Sequence, residues 1–221
     1  MISISIHKEL KSLCPNLRLG CIKAYVSVSD HLDEKLRVET DRLMQELKQK
    51  LSVEDISKVS AISASRKAYK ACGKDPARYR LSAEALLRRV VSGKGLYQIS
   101  NVVDQLNLVS ISTGFSIGGY DADQIQGDIT FGIGKPEEPY QGIGRGELNI
   151  ENLPVFRDNL GAFGTPTSDS QRTEVTYETH HFLMILIDFG NDPNLEKAIQ
   201  MAVELLKKYC QAENVEIKII E

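Results

Sequence analysis

Nowhere do the 221 residues contain an uninterrupted apolar run approaching the ~18 that a membrane-crossing helix needs, so no membrane partner is expected. The opening Met1-Ile-Ser-Ile-Ser-Ile-His7 lacks both the basic start and the apolar core of a signal peptide, and a cytoplasmic location is expected. Cysteine is scarce. Cys14, Cys21, Cys72 and Cys210 form no CxxC pair and no zinc-like spacing, and they read as reduced thiols. Histidine is equally sparse: His7, His31, His180 and His181. Neighbours in a strand point to opposite faces, so His180 and His181 are expected one inward and one outward rather than on a shared metal. No metal and no cofactor is implied. Repeats and low-complexity segments are also missing.

What is present is a chain with 42% apolar and 26% charged residues, the composition of a packed globular protein. Its net charge of −3 argues against wholesale nucleic-acid wrapping, but the charge is unevenly spread. From Lys58 to Lys94, ten basic residues face only Asp75 and Glu84. That segment is +8 within a chain of −3, leaving −11 elsewhere. A local cationic field on an acidic body suits a discrete polyanion contact. The same pattern also describes a solvated helical face.

Period-two alternation predicts strands at Ile2–Ile6 and within Leu17–Val28. Asp30 is placed to cap a helix carrying Leu32, Leu36, Leu43, Leu47 and Leu51. Ser52–Asp55 opens a short helix, and Ile62–Cys72 reads as a helix closed by Gly73. Ser82 begins the clearest helix, its hydroxyl available to cap, with Glu84 in the first turn and Gly93 at the end. Ser100–Thr113 fits helix or strand; Val103, Leu106, Val109 and Ser110 on one side favour a helix ending at Gly114. A glycine-rich β region follows, with short runs at Asp128–Phe131, Gly146–Ile150 and Pro154–Phe156. Leu183–Ile187 is a strand buried on both faces. Pro193 starts a last helix, and Val215–Ile220 is a closing strand. This order predicts an α+β fold, a mixed sheet with packed helices. Residues 1–60 are expected as strands and helices packing on a domain that spans 61–221.

Three stretches can carry chemistry. In Gly118-Gly-Tyr-Asp-Ala-Asp-Gln-Ile-Gln-Gly127, Asp121 and Asp123 can hold a ribose hydroxyl, a substrate amine or a magnesium ion, or simply close an Asx turn. In Gly161–Thr173, hydroxyls and one guanidinium crowd a short loop, where Arg172 can pair with phosphate or carboxylate. That loop has no Gly-Lys-Ser/Thr and no Gly-x-Ser-x-Gly, so it is neither a P-loop nor a nucleophile elbow. With four histidines in the chain, a serine nucleophile has few bases to draw on. In Arg78-Tyr-Arg-Leu-Ser-Ala-Glu-Ala-Leu-Leu-Arg-Arg89, arginines flank a helix N-terminus, the kind of place that receives phosphate. An ordinary capped amphipathic helix has the same spacing.

The ordered set Tyr69-Lys70, Gly73–Pro76, Arg80, Ser82–Arg89, Val103-Asp104, Asn107, Gly119-Tyr-Asp121 and Thr165–Thr173 resembles the free-standing B3/B4-domain proteins, relatives of the editing module of the phenylalanyl-tRNA synthetase β subunit. The resemblance spans about Ile62–Tyr209. It implies an α+β unit that handles tRNA or aminoacyl-tRNA. In the synthetase, that module hydrolyses tyrosine wrongly attached to tRNA for phenylalanine. The implied role here is trans-editing hydrolysis of mischarged aminoacyl-tRNA. A non-catalytic tRNA-binding module and an amino-acid- or metabolite-binding protein are the alternatives.

The resemblance assigns Asn107 to the editing pocket. Gly119–Asp123 is similar to the synthetase's His-Ala-Phe-Asp-Ala-Asp run, with Gly118 in the histidine position. Ile185 stands where the synthetase has a pocket glutamate. The implied pocket is Asn107, Asp121, Thr165, Ser168, Asp169, Arg172 and Thr173, with Ser170 in the same loop. The implied RNA-facing cations are Lys67, Lys70, Arg78, Arg80, Arg88 and Arg89. Ester hydrolysis at a tRNA end needs no protein nucleophile, because an oriented water and suitable oxyanion donors suffice.

Overall fold

A computed structural model describes residues 2–30 and 33–221. Met1, His31 and the expected inward position of Leu32 lie outside the described residues.

The chain runs β1 (Ile4–Ile6), α1 (Lys8–Leu13), β2 (Arg18–Tyr25), α2 (Glu34–Lys50), α3 (Ser60–Ala71), α4 (Ser82–Val91) and α5 (Asn101–Thr113). A β-rich stretch follows: β3 (Ser116–Asp121), β4 (Ile129–Ile133), β5 (Gln141–Gly142), β6 (Gly146–Glu147), β7 (Pro154–Asp158) and β8 (Gly161–Gly164). The chain closes with β9 (His181–Asp188), α6 (Leu195–Tyr209) and β10 (Glu213–Ile220). The fold is α+β.

Among the described residues the strands form two four-stranded sheets and a two-stranded ribbon, one of the two sheets being mixed as expected. The first sheet has the order β1-β4-β7-β8 and is mixed, because β1 lies parallel to β4. The second, β10-β2-β9-β3, is antiparallel throughout. β2 lies inside the second sheet, between β10 and β9, so the first 60 residues are built into both sheets.

Strand alternation explains how the sheets meet. Odd positions of β9 (Leu183, Ile185, Ile187) join Cys21, Tyr120, Phe131, Phe156 and Phe163 in a core between the two sheets. Even positions (Phe182, Met184, Leu186) turn the other way and pack under α5 and α6, with Leu106, Val109, Ala202 and Leu206. Both faces of β9 are therefore buried, as its unbroken apolar run predicts. A third core joins α3 and α4 to the outer side of β7 through Tyr69, Leu87, Val90 and Val155.

Several local expectations shift. α2 is capped by Asp33, whose carboxylate accepts from the Lys35 and Leu36 amides, and not by Asp30. The Ser52–Asp55 stretch leads only into a single 3-10 turn, Ile56–Lys58. The strand expected at Gly146–Ile150 ends at Glu147. The last helix begins at Leu195, after Asn194, rather than at Pro193. Ser82 is the first residue of α4 and caps nothing; its amide donates instead to the Pro166 carbonyl at 2.8 Å. Gly114 closes α5 in the left-handed conformation, as expected, with φ of 79°. His180 and His181 are both exposed, correcting the inward–outward expectation. His180 stacks on Tyr25 and His181 Nδ1 meets the Asp123 carboxylate at 2.8 Å. Among the described residues no helix is long and apolar enough to cross a membrane.

Candidate functional site

β3 is the outer strand of its sheet, so one side of its backbone has no strand partner. The segment after β8 folds against that edge. Thr165 makes it a tight turn: its Oγ1 accepts from the Thr167 and Ser168 amides (3.1 and 3.0 Å) and donates to the Ser168 carbonyl (3.0 Å). Tyr140 Oη donates to the Ser168 carbonyl at 2.6 Å, and Tyr69 Oη bonds Thr167 Oγ1 at 2.9 Å. The Ser82 amide holds Pro166, and the Ser170 amide returns to the Phe163 carbonyl. Four anchors, one each from α3, α4, β8 and the segment before β5, thus fix a short polar loop.

This loop forms one wall of an open cleft of about 320 Å3. Thr167, Ser168 and Asp169 line it, together with Asn107 of α5 and Gly119 of β3. The opposite walls are apolar: Leu86 of α4, Leu106 of α5, Ile117 of β3 and Phe182 of β9. Arg145, at the β5–β6 turn, and Glu174 stand at the exposed rim. Among the described residues the Asn107 side chain makes no hydrogen bond and Arg145 makes no ion pair, so an amide and a guanidinium remain available to a ligand.

Asp169 is the chemical centre of the cleft. Its Oδ2 accepts from the Gly119 amide at 3.4 Å, at the free edge of β3. Burial pushes the carboxyl up to about 7; the Tyr120 hydroxyl and the Gly119 amide pull the other way. A carboxyl that exchanges its proton near neutrality, beside a free amide and an apolar wall, can act as a general base toward a water.

Of the expected pocket residues, Asn107, Ser168 and Asp169 converge on the cleft, and Thr165 supports it from behind. Asp121, Arg172 and Thr173 do not reach it. Asp121 is buried: it caps the 3-10 turn Ala122–Gln124 by accepting from the Asp123 amide at 3.0 Å, and it accepts from Thr179 Oγ1 at 2.9 Å. The Asx-turn reading is therefore the correct one for Asp121. Arg172 forks onto Asp158 at 3.0 and 2.9 Å and donates to the Gln124 carbonyl. Thr173 is buried and turned toward the Phe163 carbonyl, and Ser170 caps the Gln171–Thr173 turn.

The basic segment divides in the same way. Arg88 and Arg66 both clamp the buried Glu84 carboxylate. Arg89 lies 3.7 Å from the Tyr97 ring centroid and donates to the Tyr97 hydroxyl. Lys74 is buried against the Asn149 and Glu151 carbonyls, and Lys58 pairs with Asp55. Lys67, Lys70, Arg78 and Arg80 are exposed and make no ion pair among the described residues.

Gly118 and Ile185, which the resemblance would set at pocket positions, are register partners on the face of the sheet turned away from the cleft. The chain also holds one Gly-x-Ser-x-Gly spacing outside the Gly161–Thr173 loop, at Gly114-Phe-Ser-Ile-Gly118. It is no nucleophile elbow, because it runs from helix into strand and Ser116 is buried with no hydrogen-bond partner among the described residues. Arg145 and Glu174 were not among the expected site residues. Gly142-Ile-Gly-Arg-Gly146 does carry a signal, an arginine presented on a glycine turn with Gly144 and Gly146 at positive φ. For Glu174 the sequence has none.

The family model described as the B3/4 domain matches residues 64–211. No curated protein matches the chain. A solved N-terminal fragment of the phenylalanyl-tRNA synthetase beta-subunit from Pyrococcus horikoshii is similar to 99% of this chain at 15% identity, with a TM-score of 0.48. The similarity covers 50% of that fragment, so the chain spans about half its length.

Proposed function

The chain belongs to the B3/4 domain family, and from that premise we propose that its cleft receives the aminoacyl group of a mischarged tRNA and hydrolyses the ester. One observation carries this reading. Asn107 and the Ser168-Asp169 pair, some sixty residues apart in sequence, meet in an open cleft with an apolar wall and a carboxyl buried enough to titrate near 7.

In this reaction Asp169 in its ionised form takes a proton from a water as the water attacks the ester carbonyl. The Asn107 amide donates to the developing oxyanion, and as the acyl–oxygen bond breaks the ribose oxygen takes the proton back from Asp169. Leu86, Ile117 and Phe182 accommodate the amino-acid side chain, while Glu174 attracts its ammonium group. Arg145 meets phosphate at the rim, and Lys67, Lys70, Arg78 and Arg80 supply a sequence-independent field for the rest of the tRNA. The reading carries with it a cytoplasmic location.

The test is release of amino acid from a panel of mischarged tRNAs. Wild type is expected to release at least one member faster than the uncatalysed rate, and Asp169→Asn to lower that rate by about 100-fold or more. Absence of release from every member rejects hydrolysis. Salt-sensitive tRNA binding without turnover then identifies a binding module, and thermal stabilisation by free amino acids alone identifies a metabolite pocket.

A further inference from the structure

Tyr120 is fully buried, and its hydroxyl has no hydrogen-bond partner among the described residues. Leaving such a group unpaired is unfavourable, so a tyrosine at this position calls for a reason. The surroundings are shaped around the oxygen. A Cβ on Gly118 would stand 2.0 Å from Tyr120 Oη, and a Cβ on Gly164 would stand 2.2 Å from it. Neither glycine has positive φ, so backbone conformation does not demand them. They are small because the hydroxyl occupies the space, and they come from both sheets, β3 and β8. Phe163 meets the ring edge-on at 5.0 Å and Phe156 at 6.1 Å, fixing the ring.

Gly164, one wall of this slot, is bridged to Asp169. On the β3 side the Asp169 carboxylate accepts from the amide of Gly119, next to the other wall Gly118, and among the described residues this long bond of 3.4 Å is its one contact there. We propose that Tyr120 is a positioning residue for the cleft: its hydroxyl, seated between Gly118 and Gly164, donates to the Asp169 carboxylate and fixes the direction in which that carboxylate faces a ligand. The other ionisable groups around Asp169 are Tyr140, behind the loop and donating to Ser168, and Glu174 and Arg145 at the rim. None of them bonds the carboxylate. Tyr120 touches no ligand, so its role is exerted through Asp169. The functional consequence rests on the reading above, but the contact itself can be tested without tRNA.

The experiment is a carboxyl 13C NMR titration of aspartate-labelled protein, with the Asp169 resonance identified by its loss in Asp169→Asn. Wild type should titrate at about 7. In Tyr120→Phe the carboxylate loses a donor, and its midpoint should move up by about one pH unit. An unchanged midpoint in a folded Tyr120→Phe protein overturns the proposal. A second measurement needs no variant: the Tyr120 Cζ resonance in wild type should shift with the same midpoint as Asp169. A Cζ resonance that stays constant while Asp169 titrates overturns it equally. Either failure leaves the amino-acid release assay free to succeed, so the two readings stand or fall separately.

Discussion

Arg88 Nε donates to Glu84 Oε1 at 3.0 Å, one turn back on α4, while Arg66 of α3 donates to the other oxygen at 2.8 Å. Glu84 is 1% exposed, so this is a buried carboxylate neutralised by two guanidinium groups from two helices. Such a charge is tolerated only while its partners remain. Glu84→Gln leaves both guanidinium groups against a neutral amide and is expected to cost about 3 kcal/mol. Arg88→Ala should cost less, because Arg66 still pairs. Urea denaturation midpoints measure both. An Arg88→Ala protein with wild-type stability and lost RNA affinity would return Arg88 to the ligand-facing surface.

The Arg172–Asp158 fork, between the loop after β8 and the end of β7, has the same logic. Asp158 has a fully buried side chain, and Arg172 holds its carboxyl below the usual range against the opposing effect of burial. Arg172→Ala is expected to lower stability by about 2–4 kcal/mol. Because the pair lies outside the cleft, ligand affinity measured well below the melting temperature should be unchanged. Lost affinity in a fully folded Arg172→Ala protein would bring the guanidinium back into the site.

These two arginines show where the sequence was legible and where it was not. Periodicity and end signals read most elements correctly, because β9 is buried on both faces and α5 stops at a glycine with φ of 79°. The loop bearing Asp169 and its partner Asn107 could be marked from the resemblance. Whether a charge faces solvent or a buried partner is set by contacts such as Arg66 to Glu84, 18 residues apart, or Arg172 to Asp158, 14 apart. Local spacing does not encode those contacts. Asp121 was ambiguous for the same reason. Its decisive partner, Thr179, lies 58 residues away.

The four exposed cations offer a test of the nucleic-acid surface that does not depend on catalysis. Lys67 and Lys70 lie on α3, and Arg78 and Arg80 lie on the turn into α4, all without ion pairs among the described residues. If they contact phosphate, replacing each by Gln should weaken tRNA binding and lower the slope of log affinity against log salt by about one per lost contact. Replacing Arg89, which is engaged with Tyr97, should alter that slope less. Filter binding over a salt series measures it. A slope unchanged in the quadruple variant would mean that tRNA docks elsewhere.

Asp169 also makes the protein's stability depend on pH in a direction opposite to most paired carboxylates. Its midpoint of about 7 lies above the ordinary 3.8, mainly because of burial. Between those values the native state keeps a proton that the unfolded chain has released. Stability therefore falls as pH rises through this window and levels off above about 7. Asp169→Asn removes the titration. It should be close to neutral near pH 4 and stabilising by about 1–3 kcal/mol at pH 8. Denaturation of both proteins at the two pH values gives the answer. A variant less stable than wild type at pH 8 would mean the ionised carboxylate is well satisfied where it stands. The expected result has a functional counterpart: burial outweighs the Gly119 amide and the Tyr120 hydroxyl, and the charged form that results is ready to take a proton from water at neutral pH.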